Sequence, residues 1–253
     1  MILINNKIKF NPKISIITPT FNSAKYLSKT LKSIILQKYK NYELIVIDGG
    51  STDNTLKIIK EYENHISYCV SKKDKGIYDA FNKGIKIAKG KYIVIVNSDD
   101  VLTKNAFNIL NKYDTKYPTM DFFFGAVKKH WGVLYGYNKK KINYSWGFYS
   151  SHSTGFFIKN ESAKRIGPYN LKYKYHADYD YFYRMIVHHK MHGVGSKKNE
   201  VVGIFRRGGF SSQISFKKKF YEELRIRFDN KQNLILISII AIYKFLKNFR
   251  NFF

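Results

Sequence analysis

The sequence predicts an α/β protein with a Rossmann-like, mostly parallel central sheet flanked by helices and a C-terminal helical tail. Two observations support this fold class. In the first half of the 253-residue chain, short apolar runs alternate with amphipathic stretches long enough to hold a helix, which is the pattern of βα units that feed a parallel sheet. Near the end, residues 234–243 are almost entirely apolar, which favours a further helix.

The first half is predicted to contain four strands separated by three helices. The strands are runs of β-branched and aromatic residues, and the helices have apolar residues at helical spacing. The predicted strands cover residues 14–18, 43–47, 66–70 and 92–96, and the predicted helices cover 24–37, 52–62 and 78–88. Strands with helix-length connections are typical of a nucleotide-binding sheet.

The second half is less regular. It is predicted to contain strands over residues 122–127 and 154–159 and an aromatic-rich helix over 178–189. We expect these elements to belong to the same domain as the first half.

The composition restricts the partners and the compartment. The formal charge is +27 at pH 7. Clustered cations bind nucleic acid by neutralising phosphates, but the lysines here are scattered and no nucleic-acid motif accompanies them, so no nucleic-acid partner is expected. A compositional bias with a solvated surface and attraction to anionic lipid remain open. Cys69 is the single cysteine and the first residues lack a signal-peptide segment, so we expect a reducing, cytoplasmic location.

The run KYIVIVNSDD places polar residues directly after a strand-forming segment: Asn97, Ser98, Asp99 and Asp100. Carboxylates at the carboxyl end of a buried parallel strand favour a hard divalent cation with oxygen ligands. Such a cation suggests a phosphate-bearing substrate. The alternative is that Asp99 or Asp100 caps a helix that begins near Thr103.

The turn after the first strand argues against a dinucleotide. It reads TPTFNSAKYL and contains no glycine, whereas a Rossmann pyrophosphate site needs glycines there for close backbone approach. The second strand ends in IDGGSTDNT, where Asp48 emerges at the sheet edge and Gly49 and Gly50 let the backbone approach a ligand. A tight turn and a capped helix would explain the residues after Asp48, but not the acid itself.

These segments are similar to the blocks of the family 2 glycosyltransferases, which have the GT-A fold. The matching segments are TPTFN at 18–22, VIDGGSTDNT at 46–55, DKGIYDAFNKGI at 74–85, NSDD at 97–100, SHSTGFFIK at 151–159, HADYDYFYRMI at 176–186 and FRRGGFS at 205–211. The resemblance implies a GT-A domain over residues 1–212. Within it, residues 13–100 would bind the nucleotide sugar and 101–212 would face the acceptor, and a helical segment would follow over 213–253.

The resemblance implies a donor site built from the first half. Pro19, Thr20 and Phe21 would line the base pocket, where an aromatic ring can cover the face of a base. Asp48 would accept a hydrogen bond from the base, which uracil offers at N3. The other donor-binding candidates are Gly49, Asp74, Gly76, Asp79, Asn82 and Asp99. For the segment 74–82, the start of a helix with Asp79 in its first turn is the alternative.

The resemblance also implies a metal site on Asp99 and Asp100, with Mn²⁺ or Mg²⁺ as the cofactor. The family often has an acid where this chain has Asn97. An amide keeps an oxygen ligand but loses a charge, so we expect the donor diphosphate to supply the missing oxygens. The spacing leaves open whether Asp99 or Asp100 is the direct ligand.

Asp178, in the segment HADYDYFYRMI, is the catalytic candidate. The resemblance implies an aspartate base at this position, and a carboxylate among aromatic neighbours is able to take the proton of an acceptor hydroxyl. Asp180 should point elsewhere on the helix. The alternative is that Asp178 only caps a helix over 179–189. The family often has a carboxylate immediately before the base, where this chain has Ala177.

Further candidates lie on the acceptor side. His152 stands at the start of a predicted strand and could contact the acceptor or the metal; a structural role is the alternative. Arg206 and Arg207 precede a pair of glycines and could clamp a phosphate bidentately. A solvated pair is the alternative for these arginines.

The end of the chain predicts a helix that lies in a membrane interface. The apolar run is shorter than the about 20 residues needed to span a bilayer. It is followed by KFLKNFRNFF, in which cations are interleaved with phenylalanine, and such a helix can direct aromatic side chains toward lipid and cations toward phosphates. A core helix is the alternative.

We therefore expect an inverting, metal-dependent glycosyltransferase that moves a hexosyl or N-acetylhexosaminyl group in surface polysaccharide or glycoconjugate synthesis. The expected donor is a nucleotide diphosphate sugar, UDP by preference, and the expected acceptor is a glycan or a lipid-linked molecule. We expect a peripheral position on an anionic membrane surface, at its inner face. A metal-dependent nucleotidyltransferase is the alternative enzyme, although TPTFNSAKYL lacks its glycine-rich loop. A nonenzymatic basic protein that binds RNA or lipid is the other alternative.

Overall fold

The structure is a computed structural model that describes residues 2–6, 11–144, 153–206, 208 and 214–249. Its first half consists of βα units, and the predicted strands and helices are present with small shifts at their ends. An unpredicted N-terminal strand precedes them. The elements are β1 (Ile2–Asn5), β2 (Ile14–Thr20), α1 (Ala24–Ile35), β3 (Tyr42–Asp48), α2 (Thr55–Glu61), β4 (Tyr68–Ser71), α3 (Ile77–Ile87) and β5 (Tyr92–Ile95).

The second half adds short strands and helices, several of which the sequence did not predict. They are β6 (Val101–Leu102), α4 (Ala106–Lys116), β7 (Phe122–Phe124), β8 (Ala126–Lys129), β9 (Gly132–Leu134), α5 (Lys141–Tyr144), β10 (Phe156–Lys159), α6 (Asn160–Ile166), α7 (Ala177–Tyr183), β11 (Gly193–Gly195), β12 (Val201–Ile204), α8 (Phe216–Asp229) and α9 (Leu234–Lys247). The helix expected over 178–189 is thus shorter, and a π-helical turn, Arg184–His188, follows it.

The central sheet has the order β1-β4-β3-β2-β5-β10-β7-β11. Strands β2 to β5 run parallel, and β1 and β10 pair antiparallel with β4 and β5. Because β2 lies between β3 and β5, the order of the parallel strands reverses there, and the carboxyl ends of β2 and β5 border the crevice where open α/β sheets bind ligands.

The predicted strand over 122–127 is two strands that belong to different sheets. β7 pairs with β10 in the central sheet, whereas β8 joins a smaller sheet of order β6-β12-β8-β9. Gly125 separates them and donates its N–H to the Gly155 carbonyl at 2.8 Å. A Cβ at Gly125 would lie 2.5 Å from Val202, so only glycine lets the chain pass between the two sheets here.

The core has two layers, one on each face of the central sheet. Alternate residues of a strand point to opposite faces, so Ile45 and Ile47 pack in one layer and Leu44 and Val46 in the other. Helices α3, α6 and α7 cover the first face, and α1, α2 and α4 cover the second. This arrangement holds the strand ends rigidly at one edge.

The C-terminal helices pack against α7 through buried charges. Glu223 on α8 pairs with Arg227 at 2.8 Å and with Lys244 on α9, and all three side chains are buried. The Arg227 guanidinium lies 5.1 Å from the centre of the Tyr179 ring on α7. The helical segment expected over 213–253 is therefore joined to the helix that carries Asp178.

The outer face of α9 is apolar and exposed. Ile235, Ile239, Ile242 and Leu246 are between 59% and 71% exposed, and their spacing places them on one side of the helix. The inner face packs on the domain through Ile237 and Ile240. Among the residues that the structure describes, no helix is long and apolar enough to cross a membrane.

Candidate active site at the strand ends

The turn after β2 presents one aromatic side chain at the crevice. Pro19 and Thr20 are buried, whereas Phe21 is 62% exposed. The next residue, Asn22, has a positive φ of 47° and its amide oxygen accepts from the N–H of Thr52 at 2.9 Å. Of the three residues predicted to line a base pocket, Phe21 alone offers an exposed side chain.

Asp48 organises the turn after β3. Its side chain is fully buried, and its oxygens accept from the Thr20, Ser51 and Ser71 hydroxyls and from two backbone N–H groups, with distances from 2.5 to 3.0 Å. Several donors to one carboxylate offset the unfavourable burial of its charge. The acid therefore has a structural reason to be at this strand end, and its predicted contact with a base stays a prediction.

Phe21, Gly49 and Asp74 converge beside this turn. A Cβ at Gly49 would lie 2.8 Å from the Asp74 carboxylate and 3.4 Å from the Phe21 ring, so glycine is required for this close approach. Asp74 accepts from the N–H of Gly76 at 2.9 Å, and Gly76 has a φ of 114° where α3 begins. Gly49 and Asp74 thus form a wall beside Phe21, with Gly76 at its edge.

Asp79 and Asn82 have structural partners instead. Asp79 accepts from the N–H of Lys75 at 3.0 Å and pairs with Lys83 at 2.9 Å; burial would raise the pKa of Asp79, but these partners outweigh it and lower the pKa. The Asn82 amide bonds to both backbone groups of Tyr169, at 2.8 and 2.9 Å. The Asn82 side chain thus joins α3 to the loop after α6, and its predicted contact with the donor stays a prediction.

Asp100 is buried beneath the site. Its oxygens accept from the Thr154 hydroxyl at 2.7 Å, the Asn97 amide at 3.3 Å and the Arg206 N–H at 3.4 Å. It does not cap α4, which begins at Ala106 after Asn105. Full burial and internal partners argue against Asp100 as a direct metal ligand, and they indicate that it joins β5 to the segments around residues 154 and 206.

Asp99 lies at the surface of the crevice. Its side chain is 22% exposed, and it accepts from two guanidinium nitrogens of Arg206 at 3.0 and 3.2 Å. The same guanidinium stacks 3.9 Å from the centre of the Tyr26 ring. Burial and the neighbouring Asp100 raise the pKa of Asp99, and Arg206 opposes that rise, so further positive charge at this carboxylate would be favourable.

The residues around Asp99 fit a divalent metal. Asn97, two residues before Asp99, has a buried Oδ1 with no hydrogen-bond partner among the described residues, and amide and carboxylate oxygens are suitable ligands for a hard cation. Among the residues that the structure describes, no group of three or more His, Cys, Asp or Glu side chains could hold a metal. The protein oxygens near Asp99 therefore suit a metal ion that takes its other ligands from a phosphate group.

Asp178 lies in the first turn of α7 with a partly exposed side chain. It is not the N-cap, which is His176. The Tyr78 hydroxyl approaches Asp178 Oδ1 at 3.2 Å, and the N–H of Tyr179 donates to the same oxygen at 3.0 Å. The carboxylate is thus oriented by one side chain from α3 and one backbone group of its own helix.

Asp180 points away from this site, as predicted. It pairs with Arg184 at 2.9 Å and accepts from Asn230 at 2.9 Å. Its role is therefore structural, and it offers a matched control for Asp178. His152 lies outside the described residues, as does Arg207.

Lys129 is a basic residue near the site that the sequence analysis did not single out, because it is one of 45 Lys and Arg residues. It ends β8 and lies 4.6 Å from the centre of the Phe205 ring. Burial lowers the pKa of Lys129, whereas the charges of Asp100 and Asp178 raise it. Burial is the larger effect, so the pKa of Lys129 is lowered from its usual value.

A parallel sheet with a glycine-free first turn and an aspartate-bearing strand end at its switch point defines a GT-A domain. The chain matches the sequence model of Glycosyl transferase family 2 over residues 15–182. It belongs to that family, as the resemblance indicated.

Curated relatives cover most of this chain. A PGL/p-HBAD biosynthesis glycosyltransferase of Mycobacterium bovis is 30% identical over 211 residues, which is 76% of this chain and 79% of the relative. A glycosyltransferase of Rickettsia prowazekii is 33% identical over 188 residues, which is 69% of this chain. The match spans only 59% of the length of the Rickettsia relative.

Two solved structures share the fold. S. aureus TarS 1-349 in complex with UDP-GlcNAc superposes with a TM-score of 0.70 at 18% identity, over 93% of this chain and 73% of that one. The mannosyltransferase PcManGT from Pyrobaculum calidifontis, in complex with GDP-Man and Mn²⁺, gives a TM-score of 0.64 at 15% identity, over 98% of this chain and 78% of that one. At these identities the likeness shows the GT-A fold alone.

Proposed function

We propose that the protein transfers a sugar from a nucleotide diphosphate sugar, a UDP-sugar by preference, to a hydroxyl of a glycan or lipid-linked acceptor. Inversion at the anomeric carbon is a general property of the family. The mycobacterial relative is named for PGL/p-HBAD biosynthesis and TarS was crystallised with UDP-GlcNAc, which supports a hexosyl or N-acetylhexosaminyl group and a role in glycoconjugate synthesis.

The observation that carries this proposal is the contact of Asp178 with α3, the helix that begins at the wall beside Phe21. The Tyr78 hydroxyl on α3 lies 3.2 Å from Asp178 Oδ1, and Gly76, just before α3, donates its N–H to Asp74 in that wall. A proton acceptor and a diphosphate site must lie on two sides of one anomeric carbon for a single displacement. These contacts support a shared crevice for the two groups.

Asp178 is proposed as the general base. The acceptor hydroxyl would donate its proton to the Asp178 carboxylate as its oxygen attacks the anomeric carbon. The N–H of Tyr179 donates to Oδ1 at 3.0 Å, and the Tyr78 hydroxyl lies 3.2 Å from the same oxygen. Such orientation keeps the carboxylate in reach of a bound hydroxyl. No covalent enzyme intermediate is required.

The diphosphate is proposed to leave beside Asp99. Arg206 lies against that carboxylate and Lys129 lies near Asp100, so both cations could neutralise charge that develops on the leaving group. Asp99 and the Asn97 amide oxygen would hold Mn²⁺ or Mg²⁺, which supplies Lewis-acid stabilisation of the diphosphate when bound. Phe21 would cover one face of the base, next to Gly49 and Asp74.

The exposed face of α9 is proposed to bind the inner surface of a membrane that contains anionic lipid. Four large aliphatic side chains lie on that face, and the chain carries a net charge of +27, which complements anionic lipid. The same helix uses its other face for the core, so the two predicted roles, core helix and interfacial helix, apply to opposite sides of α9.

The experiment that tests the transferase is a panel of nucleotide sugars incubated with the protein, followed by measurement of free nucleoside diphosphate. Slow hydrolysis of one donor, with water in place of the acceptor, is expected and identifies the donor. A nucleotidyltransferase would release pyrophosphate from nucleoside triphosphates instead. Release of neither product from any donor or triphosphate would contradict the proposal.

A further inference from the structure

The segment that leads into α7 is held by one carboxylate from α8. Glu222 accepts from the N–H groups of Lys174, Tyr175 and His176 at 2.7, 2.6 and 2.7 Å. Hydrogen bonds to an ionised acceptor are about twice as strong as neutral ones. Three of them to successive peptide groups fix the backbone just before the helix that carries Asp178.

The same segment is linked to the proposed base through a hydroxyl. Tyr78 lies 3.2 Å from the carbonyl oxygen of Tyr175 and 3.2 Å from Asp178 Oδ1. A phenol has one proton to donate, so these two acceptors share it. The division of that proton therefore depends on how good an acceptor the Tyr175 carbonyl is.

Glu222 acts on that carbonyl through its own peptide group. The carbonyl of Tyr175 and the N–H of His176 belong to one peptide, and the N–H donates to Glu222 while the carbonyl accepts from Tyr78. Hydrogen bonds in such a chain polarise one another, so the Glu222 charge strengthens the carbonyl as an acceptor. It also keeps the carbonyl at its present distance from the Tyr78 hydroxyl.

We propose that Glu222 is a positioning residue for the transfer reaction, which acts through the Tyr175–His176 peptide and Tyr78 on Asp178. The inference rests on the proposed role of Asp178 as the base. By drawing the Tyr78 proton toward Tyr175, Glu222 leaves Asp178 ready to accept the proton of the attacking hydroxyl. The charged side chain that supports the base thus comes from α8, beyond the part of the chain that matches the family.

The test compares Glu222→Ala and Glu222→Gln with a matched control, Asp229→Asn. Asp229 also lies on α8 and also contacts this segment, through the Tyr173 hydroxyl at 2.6 Å and Lys172 at 2.7 Å, but it does not contact the backbone at 174–176. The assay is the turnover of the donor that the nucleotide-sugar panel selects, with UDP or GDP affinity measured by calorimetry.

We expect Glu222→Ala to lower kcat about 10-fold or more, since small displacements of a catalytic group have effects of this size. Glu222→Gln should fall between wild type and Glu222→Ala, because its carbonyl can still accept from Tyr175 and His176. Nucleotide affinity should stay within about twofold of wild type in all variants, and Asp229→Asn should keep wild-type kcat. Equal kcat in Glu222→Ala and Asp229→Asn would overturn the proposal.

A double-mutant cycle separates positioning from plain stability. If Glu222 acts through Tyr78, the effect of Glu222→Ala on kcat shrinks in a Tyr78→Phe background. An effect of the same size in both backgrounds would overturn this route. Amide exchange at residues 174–176 should also be faster in Glu222→Ala than in Asp229→Asn. Unchanged exchange would contradict the role of Glu222 in holding this backbone, and this measurement does not need an active donor.

The two proposals fail in different ways. Asp178→Asn is measured in the same assay. Normal turnover by that variant would show that Asp178 is not the base and would overturn the proposed mechanism. Loss of turnover in Asp178→Asn together with wild-type turnover in Glu222→Ala would overturn only the role of Glu222.

Discussion

Replacement of Lys244 by methionine should stabilise the protein at neutral pH. Lys244 on α9 is buried with Glu223 and Arg227, so the cluster contains two cations and one anion. A buried group of charges is stabilising only when its charges are matched and satisfied. Methionine has a similar length and no charge, and its introduction leaves the Glu223–Arg227 pair neutral.

The magnitude follows from the protonation of Lys244. Burial lowers the pKa of Lys244 from 10.5 to about 8, although Glu223 opposes the shift. The unfolded chain therefore binds one more proton than the folded chain between these two pH values, and the free energy of unfolding rises with pH in that window. This fall in the pKa of Lys244 corresponds to a free energy of unfolding that is about 3 kcal/mol lower below pH 8.

The assay is urea unfolding of the wild type and Lys244→Met at pH 7 and pH 10. The variant should be more stable by up to about 3 kcal/mol at pH 7 and by about 1 kcal/mol at pH 10, where the lysine is largely neutral in the folded state. Lys247→Met, on the exposed side of the same helix, should show no such change with pH. A variant less stable than wild type at pH 7, or a difference that is the same at both pH values, would refute this reasoning.

Three further predictions test the site, the tail and the packing. Asp99→Ala should weaken UDP binding in Mn²⁺ or Mg²⁺ and change it little in EDTA, as measured by calorimetry. Asp100→Asn should mainly lower the melting temperature in a thermal melt. Equal affinity of the wild type for UDP with and without metal would contradict the metal site. Ile239→Ser, on the exposed face of α9, should reduce sedimentation with vesicles that contain anionic lipid, and raised salt should weaken binding of the wild type; unchanged partition of the variant would assign that face another role. Gly193→Ala should lower the free energy of unfolding by about 1–3 kcal/mol or more, because its Cβ would lie 2.0 Å from the Phe122 ring; wild-type stability in urea would contradict this.

The parallel half of the fold was predictable because its signals are local. Strands β2 to β5 are apolar runs, and the helices between them have apolar residues at helical spacing, so each element can be recognised from its own residues. The run FFFGAV gave no sign of its division between two sheets, because the reason lies in Val202, which contacts the position of the missing Cβ at Gly125.

A helical segment over 213–253 was expected, but the burial of charged side chains on α8 was not. The α8 sequence, FKKKFYEELRIRFD, has no clear apolar stripe. Glu223 pairs with Arg227 one turn along the same helix and with Lys244 on α9, which is 21 residues away. Partners distant in sequence cannot be read from spacing. The same limit applies to Glu222 and to its contacts near α7.

The candidate site was predictable in outline and not in detail. The motifs singled out Phe21, Asp74, Asp99 and Asp178, and their proposed roles stay predictions. The difference between buried Asp100 and partly exposed Asp99 depends on the contacts of Asp100 with Thr154 and Arg206, which are distant in sequence. Nothing in the segment around Asn82 indicates that its amide bonds to Tyr169, 87 residues later.

The most direct test of the central claim is the turnover and product of Asp178→Asn beside Asp180→Asn. The asparagine keeps the shape of the base but cannot take a proton, so kcat should fall by about 100-fold or more while nucleotide affinity stays near wild type. Asp180→Asn should retain turnover, because Asp180 is held by Arg184 and Asn230 away from the site. With the wild type, an α-linked donor should yield a β-linked product by NMR. Normal turnover in Asp178→Asn, or a product with retained configuration, would contradict the single displacement at this site.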